Sequence, residues 1–145
     1  MAAPTEPADC IFCAIVAGRA PAHRVHEDER ILVFMDLFPA HAGHTLIVPK
    51  RHGVTLFDVE REDLAAVMQA SVDLGHALDR VFSPDGIAIM QLNGAAAGQT
   101  VFHYHMHLIP RRAGERFGVH GKNRGDDAVL AEQAERLAAA YAAPL

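Results

Sequence analysis

The stretch Thr100-Val-Phe-His103-Tyr-His105-Met-His107-Leu-Ile-Pro110-Arg111 decides how this chain is read. Val101–Ile109 has the composition of a β-strand closed by Pro110, and side chains on a strand point alternately to its two faces. His103, His105 and His107 then share one face. Phe102, Tyr104, Met106 and Leu108 share the other, where they can pack on a core. Same-face neighbours on a strand lie about 6.5–7 Å apart, so each imidazole can have its own task while all three serve one cleft. The spacing alone allows a polar solvent face, a three-histidine metal site with an open position, or a catalytic face.

Upstream of this strand, Asn93–Gln99 (NGAAAGQ) is a loop of small residues, and Gly86–Leu92 (GIAIMQL) reads as a buried strand. Ser83-Pro84-Asp85-Gly86 is a turn. Glu60–Val81 has helical periodicity, with Leu64, Val67, Met68, Ser71, Gly75 and Leu78 on one stripe and Asp58 as its N-cap. His44–Val48 is a strand stopped by Pro49. Arg24–Asp28 and Ile31–Met35 are strands about the polar turn Asp28–Arg30. Cys10–Ala17 is a short helix ended by Gly18 and Pro21. Downstream, Arg111–Gly125 is a basic, glycine-punctuated loop. Asp126–Tyr141 is a helix with Leu130, Ala134, Leu137 and Tyr141 as its stripe. Hairpin-like strand connections with two helices predict an α+β fold with a mostly antiparallel sheet.

The 145 residues suit one domain, taken as residues 10–145 after a flexible Pro/Ala-rich stretch, 1–9. No apolar run approaches the roughly 18–20 residues that span a bilayer. The amino-terminal residues lack the charge and apolar core of a secretory signal, so a cytoplasmic location and no membrane partner are expected. A net charge of −5 argues against a DNA or RNA partner. Cys10 and Cys13 are too few for a disulfide scaffold. A CxxC pair in a reducing compartment suggests metal or redox chemistry, and no strand precedes it as a thioredoxin-like motif would need. Ten histidines are more than chance supplies.

The run His103-Tyr-His105-Met-His107-Leu-Ile resembles the signature of the histidine triad (HIT) family. Three further segments match that family's landmarks in order: Val33-Phe-Met-Asp36-Leu-Phe-Pro39, Gly43-His44-Thr-Leu-Ile-Val-Pro49-Lys50-Arg-His52, and Gly98-Gln99-Thr100-Val. The resemblance covers roughly residues 10–118. It implies a HIT-like fold, with a five-stranded sheet, one long central helix and a C-terminal helix. It also implies a nucleotide hydrolase or nucleotidyl transferase acting at the α-phosphate of AMP conjugates, either phosphoramidates or dinucleoside polyphosphates.

By the same resemblance, His105 is the nucleophile. A neutral imidazole has a free lone pair at pH 7. His107 contacts the phosphate, Gln99 and Thr100 lie near the α-phosphate and leaving group, and His44 shares the cleft or bonds backbone. Asp36 binds the ribose or closes a turn before Pro39. Ile11, Phe12, Phe34 and Leu37 enclose a purine, or are plain core. Asn93 is a candidate contact, because Leu92 stands where many relatives carry Asn. In zinc-bearing relatives the CxxC pairs with two histidines, here His52 and His103. The implied set Cys10, Cys13, His52 and His103 is a closed structural zinc site. Relatives commonly form homodimers. Two other functions stay open: a nucleotide-binding regulator with incidental turnover, and a hydrolase whose zinc is held by three histidines. Arg111, Arg112, Arg116, His120, Lys122 and Arg124 make a basic stretch that attracts a polyphosphate tail, shapes leaving-group choice, or is simply a solvated loop.

Overall fold

A computed structural model describes residues 7–144. Part of the stretch expected to be flexible, residues 1–6, lies outside them, and Pro7–Asp9 form a 3-10 turn. The elements are α1 (Ile11–Val16), β1 (Arg24–Glu27), β2 (Ile31–Met35), β3 (Thr45–Pro49), α2 (Arg61–Phe82), β4 (Gly86–Gln91), β5 (Met106–Arg111) and α3 (Asp127–Ala142). The strands form one sheet in the order β1-β2-β3-β5-β4, antiparallel at every junction. The α+β, five-stranded expectation therefore holds.

Two cores follow from the period-2 alternation of the central strands. Ile31, Val33, Met35, Ile47, Met106 and Leu108 face α2 and α3. Leu32, Phe34, Leu46 and Val48 face the other way and are covered by Cys10, Phe12 and Ile15 around α1. His107 pairs with Leu46 across the β3–β5 ladder, so it belongs to the α1 side.

Four expectations are corrected. First, the histidine strand is shorter: β5 starts at Met106, so only His107 of the three lies on it. The β3–β5 ladder reaches Ile47↔Met106 and stops. Two residues further along β3 stands Pro49, which has no N–H to offer, and β4 ends at Gln91↔Met106. The backbone of 101–105 finds other partners, with Tyr104 N–H donating to Gly53 O at 2.7 Å and Gln99 Nε2 to Val101 O at 3.1 Å. Tyr104 still enters the α2/α3 core, while Phe102 leaves the alternation and is only half-buried.

Second, β4 is the sheet's edge and is partly exposed rather than buried. Third, the N-cap of α2 is Glu60, with no side-chain cap bond. Asp58 instead accepts from Thr55 N–H and Oγ1 at 2.9 and 3.1 Å, closing a turn one step earlier. Fourth, the buried stripe of α2 is Val67, Ala70, Ser71, Leu74, Ala77 and Leu78. Met68 is 54% exposed. Leu64 packs at the margin, and a Cβ added at Gly75 would meet nothing within 4 Å. Alanines at 70 and 77 let the helix approach the sheet closely, which a reading weighted to large residues misses. The C-terminal helix starts one residue later than expected, because Asp126 is its N-cap and accepts from Val129 N–H at 3.1 Å.

The face assignment is testable by urea unfolding. Leu74→Ala empties a fully buried site and is expected to lower stability by about 2–5 kcal/mol. Gly75→Ala has open space and a helical backbone and should raise it by about 0.5–1 kcal/mol. Destabilisation by Gly75→Ala would show that this face is packed.

Candidate active site and metal-binding cluster

A cleft of ≈340 Å³ opens between α1, the β2–β3 connection and the 100–107 segment. Among the sequence-predicted residues it is lined by Ile11, Phe12, Phe34, Asp36, Leu37, Thr100, His105 and His107. The aromatic wall is ordered by edge contacts: Phe12 meets Phe34 at 5.4 Å and the His105 ring at 5.1 Å between centroids. Among the described residues no Lys or Arg lines this cleft. Asp36 is its one acidic lining residue, and burial pushes its carboxyl above the usual range, partly offset by the Phe38 N–H that it accepts at 2.8 Å. The turn-closing role and the cleft-lining role of Asp36 therefore coexist.

Hydrogen bonds fix the protons on the histidines. His105 Nδ1 lies 2.7 Å from its own segment's His103 carbonyl. A carbonyl only accepts, so Nδ1 carries the proton and Nε2 keeps its lone pair. A second chain starts at Ala40 N–H, which donates to His44 Nδ1 at 2.9 Å. His44 must then be protonated on Nε2, which sits 2.8 Å from His107 Nδ1 and 3.3 Å from Asp36 Oδ2. His107 Nδ1 accepts that proton's bond, so His107 carries its own proton on Nε2. That atom is buried and has no partner. An unsatisfied buried donor is costly, and this one sits on a cleft residue next to His105, with ring centroids 4.9 Å apart. Burial holds His44 and His107 down to about 3 and also lowers His105. All three are neutral at pH 7.

His103 belongs to a different group. Its Nε2 donates to Pro49 O at 2.7 Å, turning Nδ1 toward Cys10 Sγ and Cys13 Sγ, each at 3.5 Å, and His52 Nδ1 at 3.2 Å. Cys13 Sγ to His52 Nδ1 is 3.3 Å. A tetrahedral ion with bonds of about 2.3 Å to sulfur and 2.0–2.1 Å to nitrogen has S···N and N···N edges of about 3.3–3.6 Å. The four edges formed by these contacts lie close to those of such an ion, all four donor atoms fall within 4.8 Å of one another, and both cysteines are free. Burial and the neighbouring Cys10 push the Cys13 thiol up to about 11. A cation is what would draw it to the thiolate. The triad rings serve separate groups, so the three-histidine metal site is not formed.

Three predicted residues do not line the cleft: His44, which is fully buried and bonds the Ala40 backbone as its alternative reading had it, and the amides Gln99 and Asn93. The Gln99 amide is buried and spent on backbone: Nε2 donates to Val54 O at 2.7 Å and Oε1 accepts from Gly94 N–H at 2.8 Å. It braces the 94–99 loop. Asn93 accepts from Leu56 N–H at 2.8 Å and pairs with Gln91, pinning the loop after β3 to the end of β4. Neither lines the cleft. His120, expected only as part of the basic stretch after the histidine strand, and Gly121, which carried no sequence signal, do line it. His120 Nε2 donates to Gly98 O at 3.0 Å, and its ring meets His107 at 5.7 Å. The Gly121 N–H donates to Phe38 O at 2.9 Å, and a Cβ there would clash with Pro39 O. The excess of histidine was a signal, but nothing in a long aperiodic loop says where His120 folds back.

The HIT domain family matches residues 17–114. The chain belongs to the HIT family. Protein hit of Bacillus subtilis is 41% identical over 120 residues, covering 82% of this chain and 83% of that one. The crystal structure of a Zn-bound histidine triad family protein from Mycobacterium smegmatis superposes with a TM-score of 0.82 at 38% identity, covering 94% and 96% of the two chains. Adenylylsulfatase HINT3 of Arabidopsis thaliana is 38% identical over 104 residues, 72% of this chain and 53% of that protein. Membership places the chain in a superfamily of nucleotide-binding hydrolases. Among the described residues no helix is long and apolar enough to cross a membrane.

Neutral His44 and His107 set a pH dependence. Their folded values of about 3 lie below the ordinary 6.5, so the unfolded chain binds more protons than the folded one between those limits. Stability is then full above pH about 6.5 and falls as pH drops toward 3. The urea midpoint should decline over that window, and the decline should be shallower in His44→Asn. An equal slope in both proteins would show that His44 is already charged when folded.

Proposed function

We propose that this HIT protein cleaves nucleotide conjugates at the α-phosphorus through a covalent intermediate on His105. The observation that carries this reading is the His105 Nδ1 bond to the His103 carbonyl, which leaves the Nε2 lone pair free on a cleft-lining ring. In the first step Nε2 attacks phosphorus and a P–N bond forms. The bond from phosphorus to the leaving group breaks and its electron pair departs with that group. In the second step a water oxygen attacks phosphorus, the P–N pair returns to Nε2, and the water's proton passes to the solvent with release of the monophosphate. The orphaned His107 Nε2–H suits a non-bridging phosphate oxygen whose charge grows in the transition state. Asp36 suits the paired ribose hydroxyls, and Ile11, Phe12, Phe34 and Leu37 suit a purine, adenine by preference. Thr100, at the cleft mouth, is placed to reach the leaving group, and His44 orients His107. For Gln99 and Asn93 we propose a positioning role through the loops they hold.

Zinc is the ion that suits Cys10, Cys13, His52 and His103. It supplies structural closure there, with all four positions taken by protein. Free cysteine ligands suit a reducing, cytoplasmic location. A homodimer through α2 and the edge strand β4 is supported by exposed Met68, Val72 and Ile89.

The test is turnover of adenosine 5′-phosphoramidate and of a dinucleoside polyphosphate, with His105→Ala matched for folding and zinc content. Its activity should fall by about a thousandfold or more. Near-wild-type turnover would remove His105 as nucleophile. In parallel, Cys10→Ser should lose bound zinc by elemental analysis and melt several degrees lower, roughly the loss of one structural ligand. Turnover per folded molecule should persist. Immediate loss of activity on chelation, with the fold intact, would instead give the metal a direct part in the chemistry.

A further inference from the structure

The loop between β5 and α3 is rich in cations, and most of them are already engaged. The Arg111 guanidinium lies 4.6 Å over the Phe117 ring. Arg112 bonds Phe82 O and Ser83 O at the end of α2. Arg124 pairs with Asp127 at 3.2 Å. Arg116 and Lys122 remain, and among the described residues neither has a hydrogen bond or a carboxylate partner. Both line a second hollow of ≈520 Å³, walled by His41, Glu115 and Phe117. Glu115 is turned aside to His41, at 3.0 Å, and to the Arg112 N–H. The hollow is contiguous with the catalytic cleft, because His120 and Gly121 line both. Its floor is held in place by the Gly121 N–H bond to Phe38 O and the Gly125 N–H bond to Leu37 O, at 2.9 and 2.7 Å.

We infer that this hollow is the subsite for the leaving group, and that Arg116 and Lys122 select an anionic one, a phosphate or sulfate oxyanion. The inference rests on the cleavage reading above. His107 receives the α-phosphate, and His120 stands against the His107 ring on the hollow's side. A group beyond the α-phosphorus therefore enters the hollow. The cleft itself offers only neutral donors and one carboxylate, so nothing in it compensates the charge of a departing oxyanion. Arg116 and Lys122 do. When the P–O bond breaks, its electron pair stays on the sulfate or polyphosphate oxygen, which leaves as an anion without first taking a proton and is stabilised by the two cations. An amine leaving group needs a proton and gains nothing from them. The Arabidopsis relative named an adenylylsulfatase is similar over 104 residues, which makes adenylyl sulfate an apt probe.

The experiment compares kcat/KM for adenylyl sulfate and adenosine 5′-phosphoramidate in wild type, in Arg116→Ala/Lys122→Ala, and in Arg124→Ala as a control outside the hollow. The double substitution should lower the ratio of the two by about tenfold to a hundredfold, the size of lost charge-assisted bonds. Arg124→Ala should leave the ratio alone. An unchanged ratio in the double variant overturns the subsite. Binding separates this from failure of the catalytic reading. In a His105→Ala background, ADP should bind more tightly than AMP, and the double substitution should abolish the difference. Equal affinity for ADP and AMP before that substitution overturns the subsite whatever the activity. A subsite present by binding in a protein that cleaves neither probe would leave the anion recognition standing and remove the catalysis.

Discussion

The hydrogen bond from His105 Nδ1 to the His103 carbonyl is the constraint on which the site depends. In a continuous ladder that carbonyl would be spent on a neighbouring strand. It is free because β5 begins only at Met106, and β5 begins there because Pro49 cannot donate and β4 has run out. His103 is then held from three sides: its carbonyl by His105, its Nε2 by Pro49 O, and its Nδ1 by the two cysteines and His52. An ion in that cluster would fix the residue whose backbone fixes the tautomer of the next histidine but one. The Cys10/Cys13/His52/His103 cluster and the His105 tautomer are thus consecutive links of one chain, so an ion held there would bear on a ring it does not touch.

The other histidines follow the same logic with direction reversed. A backbone N–H at Ala40 sets His44, His44 sets His107, and His107 ends with a donor aimed at nothing in the protein. One turn before β3 therefore dictates a proton two side chains away. Burial keeps both rings neutral, so the relay delivers a donor without a charge. His105, governed by an acceptor, ends with a free lone pair on Nε2. His107, governed by a donor, ends as a hydrogen-bond donor. Identical side chains take opposite roles because the backbone groups at the head of each chain differ.

Much of this was legible in the sequence, and the misses have physical causes. Alternation correctly sent Tyr104, Met106 and Leu108 to one core. It could not foresee that Pro49, fifty residues upstream, truncates the ladder. The CxxC and His52 come together with His103 as the motif spacing in relatives implies, since α1 packs directly on the β2–β3 face. The side chains of Gln99 and Asn93 look like ligand-facing amides in a loop, yet both are absorbed by backbone groups that a small-residue loop leaves unsatisfied. The α2 stripe was misplaced because alanines at 70 and 77 carry the closest packing, and hydrophobic weight does not report closeness. His120 was visible as one of the basic residues after β5, but not its place in the cleft, because no periodicity governs a loop whose position is set by two backbone bonds to residues 37 and 38.

The distribution of charge divides labour across the fold. The sheet and α1 build a cleft of neutral imidazoles, aromatic edges and one carboxylate, a setting that strengthens short-range hydrogen bonds but offers an anion little long-range attraction. Among the described residues no Lys or Arg lines that cleft, and the cations of the neighbouring hollow, Arg116 and Lys122, come from a loop outside the strands. Loops change length and composition at small energetic cost, whereas β5 and the cluster beneath it are locked to one another. The rigid part sets the histidine tautomers, and altering one residue there disturbs the next. Arg116 and Lys122 belong to the loop, where among the described residues neither has a hydrogen bond or a carboxylate partner.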